Sequence, residues 1–430
     1  MRILNLVLLL SAIRLSARAQ DADPIFNANA VLAVENSLAS DSMRGRAVFT
    51  PDIERAADYI ETQFRASGLK TWNGSASYRQ PFSMIRAQLL SISGSVDDMK
   101  LTTDNTVIIS SAEHIRMGTR DVKTEWIHAG EDLRSSAQKI IAIKDNHLIY
   151  VDTSFAKMFP RLNRLAAQQF GSPYTNVFVL SNDRVVDFSF TLTADQEIKE
   201  SKLANVVGIL PGTGKEKDQY VIFSGHYDHL GVRKPDARGD SIYNGANDDA
   251  SGTTAVILLS RYFSQLHHNK RTLVFAAFTA EEIGEFGSQY FSSQFDPDKV
   301  VAMFNIEMIG SPSKWGENSA FITGYERSDM GKILEKNLTG SGFTFYPDPY
   351  PSQNLFYRSD NASLAKQGVP AHTISTTQID IDKTYHTPED EVSTLDLPNM
   401  AAIIKAIALS SKTILEGKDT PSRVDTSQVH

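Results

Sequence analysis

The sequence predicts an α/β fold: a three-layer sandwich with a mixed, mostly parallel central sheet, plus a β-rich inserted segment. From residue 205 onward, short apolar runs typical of strands buried on both faces alternate with amphipathic stretches of helical periodicity. Strands that are separated by helices favour parallel pairing. The apolar runs are 220–223, Thr272–Phe278, Val300–Ile306 and 371–374, and the amphipathic stretches include 253–266 and 359–367.

The chain before this region divides into two parts. A first helix is predicted after Thr50, which can cap it, with Pro51 at the first helical position and an end before Gly68. The pattern then changes to short β-branched runs, such as Thr106–Ile109 and 139–143, with one helical patch over 162–169. We therefore predict an inserted domain or elaborated edge, rich in β-strand.

The predicted boundaries follow from these changes of pattern. The main domain comprises residues 20–88 and 201–418, and the insert comprises residues 89–200. Residues 419–430 form a polar tail that we expect to be frayed.

The first 19 residues have the layout of a signal peptide. Arg2 precedes an apolar stretch from Ile3 to Ile13, and small residues stand at Ala17 and Ala19. This stretch is shorter than the roughly 20 residues that a membrane span needs. We expect residues 1–19 to be removed and the mature protein to be exported, either periplasmic or secreted, without a membrane span.

Composition excludes several classes of function. The chain has 430 residues and no cysteine, so a disulfide framework, a thiolate zinc site and a cysteine nucleophile are impossible. The net charge of -8 gives no basic footprint for nucleic acid. Nothing in the sequence indicates an oligomeric state.

Carboxylates and imidazoles collect where the apolar runs end, at the edge of the sheet where ligands bind in such folds. His226, Asp228, Glu281, Glu282 and Glu307 follow three of the runs, and Asp248 lies in a turn between two of them. Crowded carboxylates repel one another unless a cation holds them. Oxygen and imidazole ligands without sulfur suit zinc in a catalytic setting.

Each of these motifs has an ordinary structural explanation when it is taken singly. The Glu281 and Glu282 pair is typical of a solvated helix start, and Asp248 with Asp249 is typical of a turn. Glu307 is harder to explain in this way, because a carboxylate directly after a buried strand needs a partner. Their combination in this order favours a metal site.

The ordered motifs resemble the M28 family of zinc aminopeptidases over residues 205 to about 415. The resemblance implies a zinc-exopeptidase-like fold. Some members of the family carry a protease-associated insert at the place where this chain has its β-rich segment. The motifs are His226-x-Asp228, Asn247-Asp248-Asp249-x-Ser251-Gly252, Glu281-Glu282-x-Gly284, Asn305-Ile306-Glu307-Met308-Ile309-Gly310 and Tyr385-His386-Thr387.

The resemblance also implies two zinc ions per chain and their ligands. His226 and Glu307 would bind one ion, Glu282 and His386 the other, and Asp248 would bridge both. The family often has Asp where this chain has Glu307, so we expect an altered geometry or metal preference at that position.

The remaining site residues are carried over in the same way. Glu281 would be the general base for a water between the two ions, and Asp228 would orient an imidazole. Tyr385 would stabilise the oxyanion or, alternatively, only pack beside the ligand that follows it. Arg358, Ser359 and Asp360 match a loop that lies near the substrate.

The function that this resemblance implies is hydrolysis of peptides, by an aminopeptidase that removes N-terminal residues. Three alternatives stay open: a glutaminyl-cyclase-like transferase with one zinc, a carboxypeptidase or dipeptidase on the same metal site, and a non-catalytic binding protein. The complete ligand set and the base argue against the last. His229 is expected either to touch the substrate or to serve only in a loop.

Overall fold

The computed structural model describes residues 24–182 and 188–428, so the predicted signal peptide lies outside the described residues. The helices are α1 Ala28–Leu38, α2 Pro51–Ala66, α3 Leu133–Ile141, α4 Asn163–Ala167, α5 Ser251–Leu266, α6 Phe286–Ser292, α7 Met330–Asn337, α8 Ala362–Ala365, α9 Leu397–Ser410 and α10 Lys412–Leu415. The strands of the N-terminal half are β1 Lys70–Thr71, β2 Arg79–Val96, β3 Met99–Lys100, β4 Thr106–Ile109, β5 His114–Gly118, β6 Lys123–Ile127, β7 His147–Val151, β8 Gln169–Phe170, β9 Asn176–Leu180 and β10 Phe190–Leu210. Those of the C-terminal half are β11 Tyr220–His226, β12 Gly231–Val232, β13 Ile242–Tyr243, β14 Thr272–Phe278, β15 Val300–Ile306, β16 Ser319–Ile322, β17 Thr344–Pro347 and β18 Ala371–Ser375.

The central sheet has the order β17-β16-β18-β15-β11-β14-β10-β2-β3. Its middle strands β14, β11, β15 and β18 pair in parallel, and antiparallel strands flank them on both sides. The predicted mixed α/β fold is confirmed, and each apolar run in the sequence is one of these parallel strands. Their carboxyl ends therefore meet at one edge of the sheet.

Helices cover both faces of this sheet and produce three layers. Along β11, Val221 and Phe223 face a core that includes α1, α2, α5 and α9, whereas Ile222 faces a smaller core that includes α6 and α8. Side chains alternate in this way because successive residues of a strand point to opposite faces. Burial on both faces explains why the strand sequences lack polar alternation.

The segment predicted as an insert contains a separate sheet of order β4-β9-β7-β6. Helices α3 and α4 cover one face of it, and the other face packs on the paired outer ends of β2 and β10. Those two strands run antiparallel from Phe190 opposite Val96 to Val206 opposite Arg79, so they join the small sheet to the central one.

One predicted strand in this segment is wrong. Residues 139–143 lie at and beyond the end of α3, which Asp132 caps by accepting a hydrogen bond from Ser135 N at 2.7 Å. Leu133, Ala137 and Ile140 are buried at helical spacing. A short apolar run is compatible with a strand or a helix. The N-terminal cap and the spacing of the buried positions favour the helix here.

The C-terminal tail is packed as far as the structure describes it, contrary to the predicted fraying. Val424 is buried, and its N–H donates to Gly368 O at 3.0 Å. Arg423 donates to Val300 O at 2.9 Å, at the start of a central strand. Within residues 24–182 and 188–428, no helix is long and apolar enough to cross a membrane.

Candidate metal centre

The predicted site residues converge at the carboxyl ends of the parallel strands. His226 is the last residue of β11, Glu307 follows β15, and Glu281 and Glu282 lie in the turn after β14. His386 reaches the same place from the loop between β18 and α9. The sheet order therefore brings together residues that are up to 160 positions apart in the chain, as His226 and His386 are.

Asp248 occupies the centre of the group. Its Oδ1 is 3.2 Å from His226 Nε2, and its Oδ2 is 3.2 Å from His386 Nε2. Metal-to-ligand bonds of about 2.0 to 2.2 Å in a tetrahedral zinc site place neighbouring ligand atoms roughly 3.3 Å apart. The carboxylate is therefore spaced to share one metal with each imidazole, and the two adjacent rings hold the pKa of Asp248 far below its usual value against the effect of burial.

Glu282 completes the half of the site that contains His386. Its Oε2 is 3.1 Å from His386 Nε2, and its Oε1 is 2.7 Å from His229 Nδ1. The second distance is that of a hydrogen bond and is too short for two ligands on one metal. His229 thus orients Glu282 and leaves the other oxygen free for a metal.

His229 is completely buried, although the sequence left it between a substrate contact and a loop role. Space for its ring depends on Gly245, whose φ is +59° and where a Cβ would lie 2.5 Å from the ring carbon Cγ. His229, Asp248 and Glu282 have donor atoms within 4.8 Å of one another. In the sequence, the only sign that His229 orients Glu282 is its position as a second histidine three residues after His226.

Glu281 and Glu307 lie on the side of Asp248 that faces His226. Glu281 Oε2 is 3.9 Å from His226 Nε2. This distance is longer than the 3.2 Å that separates each Asp248 oxygen from the nearest histidine nitrogen. Glu307 accepts a hydrogen bond from Ser359, which in turn accepts one from Asn305 Nδ2 at 2.6 Å. Burial raises the pKa of Glu281 well above its usual value and that of Glu307 to about 7, and a bound cation would favour the charged form of both carboxylates.

Asp228 supports the site in a way the sequence did not predict. His226 Nδ1 is 3.1 Å from the Asp228 carbonyl oxygen but 3.8 Å from its carboxylate, so the backbone orients the ring. The buried carboxylate instead accepts hydrogen bonds from Glu281 N at 3.2 Å and Glu282 N at 3.4 Å. Asp228 therefore holds the turn that separates the two glutamates.

Two further aspartates hold the segment around Asp248. Asp249 accepts from His226 N at 3.1 Å and from Met308 N at 3.0 Å, joining the ends of two strands. Asp390 accepts from the N–H of Asp248 at 3.0 Å. Neither was predicted as part of the site, because their partners lie 23 to 142 residues away.

A buried arginine also positions the site from outside it. Arg46 is fully buried and donates to four backbone carbonyls, those of Leu38, Tyr227, Asn244 and Gly245, at 2.6 to 3.0 Å. The last three of these carbonyls belong to the segments that carry His226 and Asp248, and the first belongs to the end of α1. The arginine therefore fixes the distance between two predicted ligands.

A small cavity of about 50 Å³ lies beside Glu307 and Tyr385. Tyr385 stacks on His386 with ring centroids 3.9 Å apart. Arg358 and Ser359, which were predicted to lie near the substrate, line the cavity together with apolar side chains such as Phe321. Asp360 is not among the lining residues: it is fully buried, and burial raises its pKa to about 8.

Comparisons with known proteins agree with this geometry. Residues 205–410 match the model of peptidase family M28. A probable zinc metalloprotease of Pyrenophora teres f. teres is 36% identical over 111 residues, which cover 25% of this chain and 23% of that protein. Leucine aminopeptidase 2 of Trichophyton rubrum is 27% identical over 234 residues, which cover 47% of this chain and 46% of that protein. The chain thus spans less than half the length of these relatives.

Solved structures show the same fold at low identity. An aminopeptidase from Aneurinibacillus sp. strain AM-1 has a TM-score of 0.54 and 17% identity, over 94% of this chain and 96% of that one. BSAP, a zinc aminopeptidase from Bacillus subtilis, also has a TM-score of 0.54, with 15% identity over 94% of this chain and 99% of that one. The matched residues 205–410 contain all five predicted metal ligands, and this part of the chain is similar to peptidase family M28.

Proposed function

We propose that the protein is a zinc-dependent exopeptidase that removes residues from the amino terminus of peptides and binds two zinc ions per chain. The observation that carries the proposal is the Asp248 carboxylate, with an imidazole nitrogen 3.2 Å from each of its oxygens. The relatives described as a zinc metalloprotease and as leucine aminopeptidases add support.

The donor set fits zinc on both sides of Asp248. His226 and Glu307 would hold one ion, and Glu282 and His386 the other, with Asp248 shared between them. His226 Nε2 is buried without a hydrogen-bond partner among the described residues, as is expected for a nitrogen that ligates a metal. When bound, the zinc pair would supply an activated water and polarise the substrate carbonyl.

Glu281 is the base in this mechanism. Its backbone N–H donates to Asp228, and its carboxylate lies 3.9 Å from His226 Nε2. This distance places it near the ligands but exceeds the roughly 3.3 Å expected between two ligand atoms on one zinc. It takes a proton from the attacking water and delivers the proton to the departing amine. Burial raises the pKa of Glu281, which strengthens it as a proton acceptor.

Tyr385 stabilises the developing oxyanion. The ring lines the cavity beside Glu307, and its hydroxyl makes no hydrogen bond with the residues that the structure describes. Burial raises the pKa of this hydroxyl, so it stays protonated and can donate. A donor aimed at charge that forms only in the transition state lowers the barrier without tightening substrate binding.

A substrate screen tests this function. The zinc-loaded protein is compared on leucine p-nitroanilide, a free pentapeptide, the same peptide with an acetylated amino terminus, and a dipeptide. We expect hydrolysis of the free pentapeptide one residue at a time from its amino terminus, with the acetylated form resistant. Release from the carboxyl terminus, or cleavage of the dipeptide alone, would replace the aminopeptidase by a carboxypeptidase or dipeptidase.

Metal analysis tests the two-zinc site. Chelation should abolish hydrolysis, and added zinc should restore it at two ions per chain. One ion per chain, with cyclisation of amino-terminal glutamine in place of hydrolysis, would favour the single-zinc transferase.

The Glu307 assignment has its own pair of variants. Glu307→Asp should keep two ions with changed kinetics, because the shorter carboxylate can still ligate. Glu307→Gln should lose one ion. An unaltered zinc content and rate in Glu307→Gln would refute the ligand assignment.

A further inference from the structure

A large cleft separates the insert from the main domain and opens beside the metal centre. Its volume is about 730 Å³, within the range of roughly 300 to 1,000 Å³ that is common for ligand sites. One wall is formed by α3 and α4 of the insert. The opposite wall includes Ile283, Gly284 and Phe286, which directly follow the predicted base and ligand in the turn after β14.

The charge of this cleft is the reverse of that of the whole protein. Arg134, Arg161 and Arg164 line it, and its lining contains no Asp, Glu or Lys. The chain as a whole carries a net charge of -8. Three positive groups on a concave surface whose lining contains no acid attract anionic ligands.

The three arginines are free to bind. Their side chains are exposed, and none makes a hydrogen bond or ion pair with any residue in 24–182 or 188–428. Two acids outside the lining interact electrostatically with Arg134: the exposed Asp132, and Glu285, whose pKa burial raises to about 7. Guanidinium groups bind carboxylates through two parallel hydrogen bonds, so their free state suits recognition of carboxylates.

The position of the cleft indicates which part of a peptide would reach it. The small cavity beside Glu307 and Tyr385 shares no lining residue with the cleft. A peptide whose first residue occupies that cavity places its scissile bond near Glu281. The chain beyond that bond can continue over Ile283 towards the arginines.

We propose that this cleft binds the part of the peptide substrate beyond the scissile bond and selects acidic residues there. The proposal rests on the proposed aminopeptidase function. Aromatic side chains support the peptide path, with Phe170 and Phe286 packed edge to face at a centroid distance of 5.3 Å. The polar lining includes the amides of Gln138 and Gln289, which can bind the peptide backbone.

Two matched peptides test the selectivity: Leu-Ala-Ala-Glu-Glu and Leu-Ala-Ala-Gln-Gln, both with amidated carboxyl termini. If each arginine contributes as a surface ion pair does, the wild type should have a kcat/KM about tenfold higher for the acidic peptide. The triple variant Arg134→Gln, Arg161→Gln, Arg164→Gln should lose this preference and keep the wild-type rate on leucine p-nitroanilide, which is too short to reach the cleft. Arg120→Gln, an exposed arginine of the insert outside the cleft, is the matched control and should keep the preference.

Binding provides a readout that does not depend on turnover. Fluorescence anisotropy with the Glu281→Gln variant should show tighter binding of the labelled acidic peptide, weakened by the three arginine changes and by 0.5 M salt. Equal binding and equal kcat/KM for both peptides, with hydrolysis of leucine p-nitroanilide intact, would overturn the cleft proposal alone. Failure to hydrolyse any substrate with a free amino terminus would instead overturn the proposed function, and anisotropy would then decide the cleft.

Discussion

Replacing Glu281 by Gln separates its predicted role from that of its neighbour. The change keeps the length and shape of the side chain and removes its capacity to accept a proton. Glu281 Oε2 is 3.9 Å from His226 Nε2, whereas Glu282 Oε2 is 3.1 Å from His386 Nε2. Only the shorter distance fits two ligands on one zinc, for which roughly 3.3 Å is expected.

The expected loss follows from this geometry. General bases contribute about 10² to 10⁴ in rate, and each tenfold step corresponds to about 1.4 kcal/mol of activation free energy. Because Glu281 lies beside His226 Nε2 and the proposed ligand set leaves its carboxylate free, we expect Glu281→Gln to lower kcat by at least about 10³, or about 4 kcal/mol. KM and the zinc content should stay near the wild-type values.

The assay combines kinetics on leucine p-nitroanilide with zinc analysis after gel filtration. Glu282→Gln is the control, and it should lose one zinc ion because the amide is a weaker ligand. A Glu281→Gln enzyme with kcat within tenfold of the wild type would refute the general-base role. Loss of zinc from Glu281→Gln equal to that from Glu282→Gln would show that Glu281 is a ligand.

Three further predictions concern stability and export. Arg46→Met should lower the free energy of unfolding by about 3 to 5 kcal/mol in urea, because it removes a buried charge with four acceptors, whereas exposed Arg44→Met should cost less than about 1 kcal/mol. Burial lowers the pKa of His372 from 6.5 to about 4, so its contribution is complete above pH 6.5 and is lost as the pH falls towards 4, by up to about 3 kcal/mol. Urea titrations at several pH values should show this slope in the wild type and a smaller one in His372→Gln. Finally, if residues 1–19 direct export, the exported protein should begin after Ala19 on amino-terminal sequencing, and retention in the cytoplasm with an intact amino terminus would contradict that expectation.

The sequence predicted the main sheet well because its strands are buried on both faces. Thr272–Phe278 and Val300–Ile306 have the predicted bounds. Continuous apolar runs of this length are a local property that tertiary contacts do not need to modify. Residues 139–143 were assigned wrongly because a run of five residues does not distinguish a strand from the end of a helix.

The site was predictable in part for a related reason. The ends of parallel strands must share an edge of the sheet, so carboxylates and imidazoles that follow the strands meet there. His229 and Arg46 could not be assigned in this way. Their roles depend on partners that lie 53 and up to 199 positions away, and no local pattern marks those contacts.

The sequence by itself determined the fold class, and through the family resemblance it predicted the types of ligand and the five residues that would hold the metal ions. Only the tertiary structure decided which groups hold the site residues in place. The backbone carbonyl of Asp228 orients His226, and the carboxylate of Asp228 holds the turn that contains Glu281 and Glu282. The same holds for the cleft between the insert and the main domain. The sequence shows which residue types follow each strand. The distances of 3 to 4 Å between their side chains depend on strand order, turn conformation and the packing of separate segments.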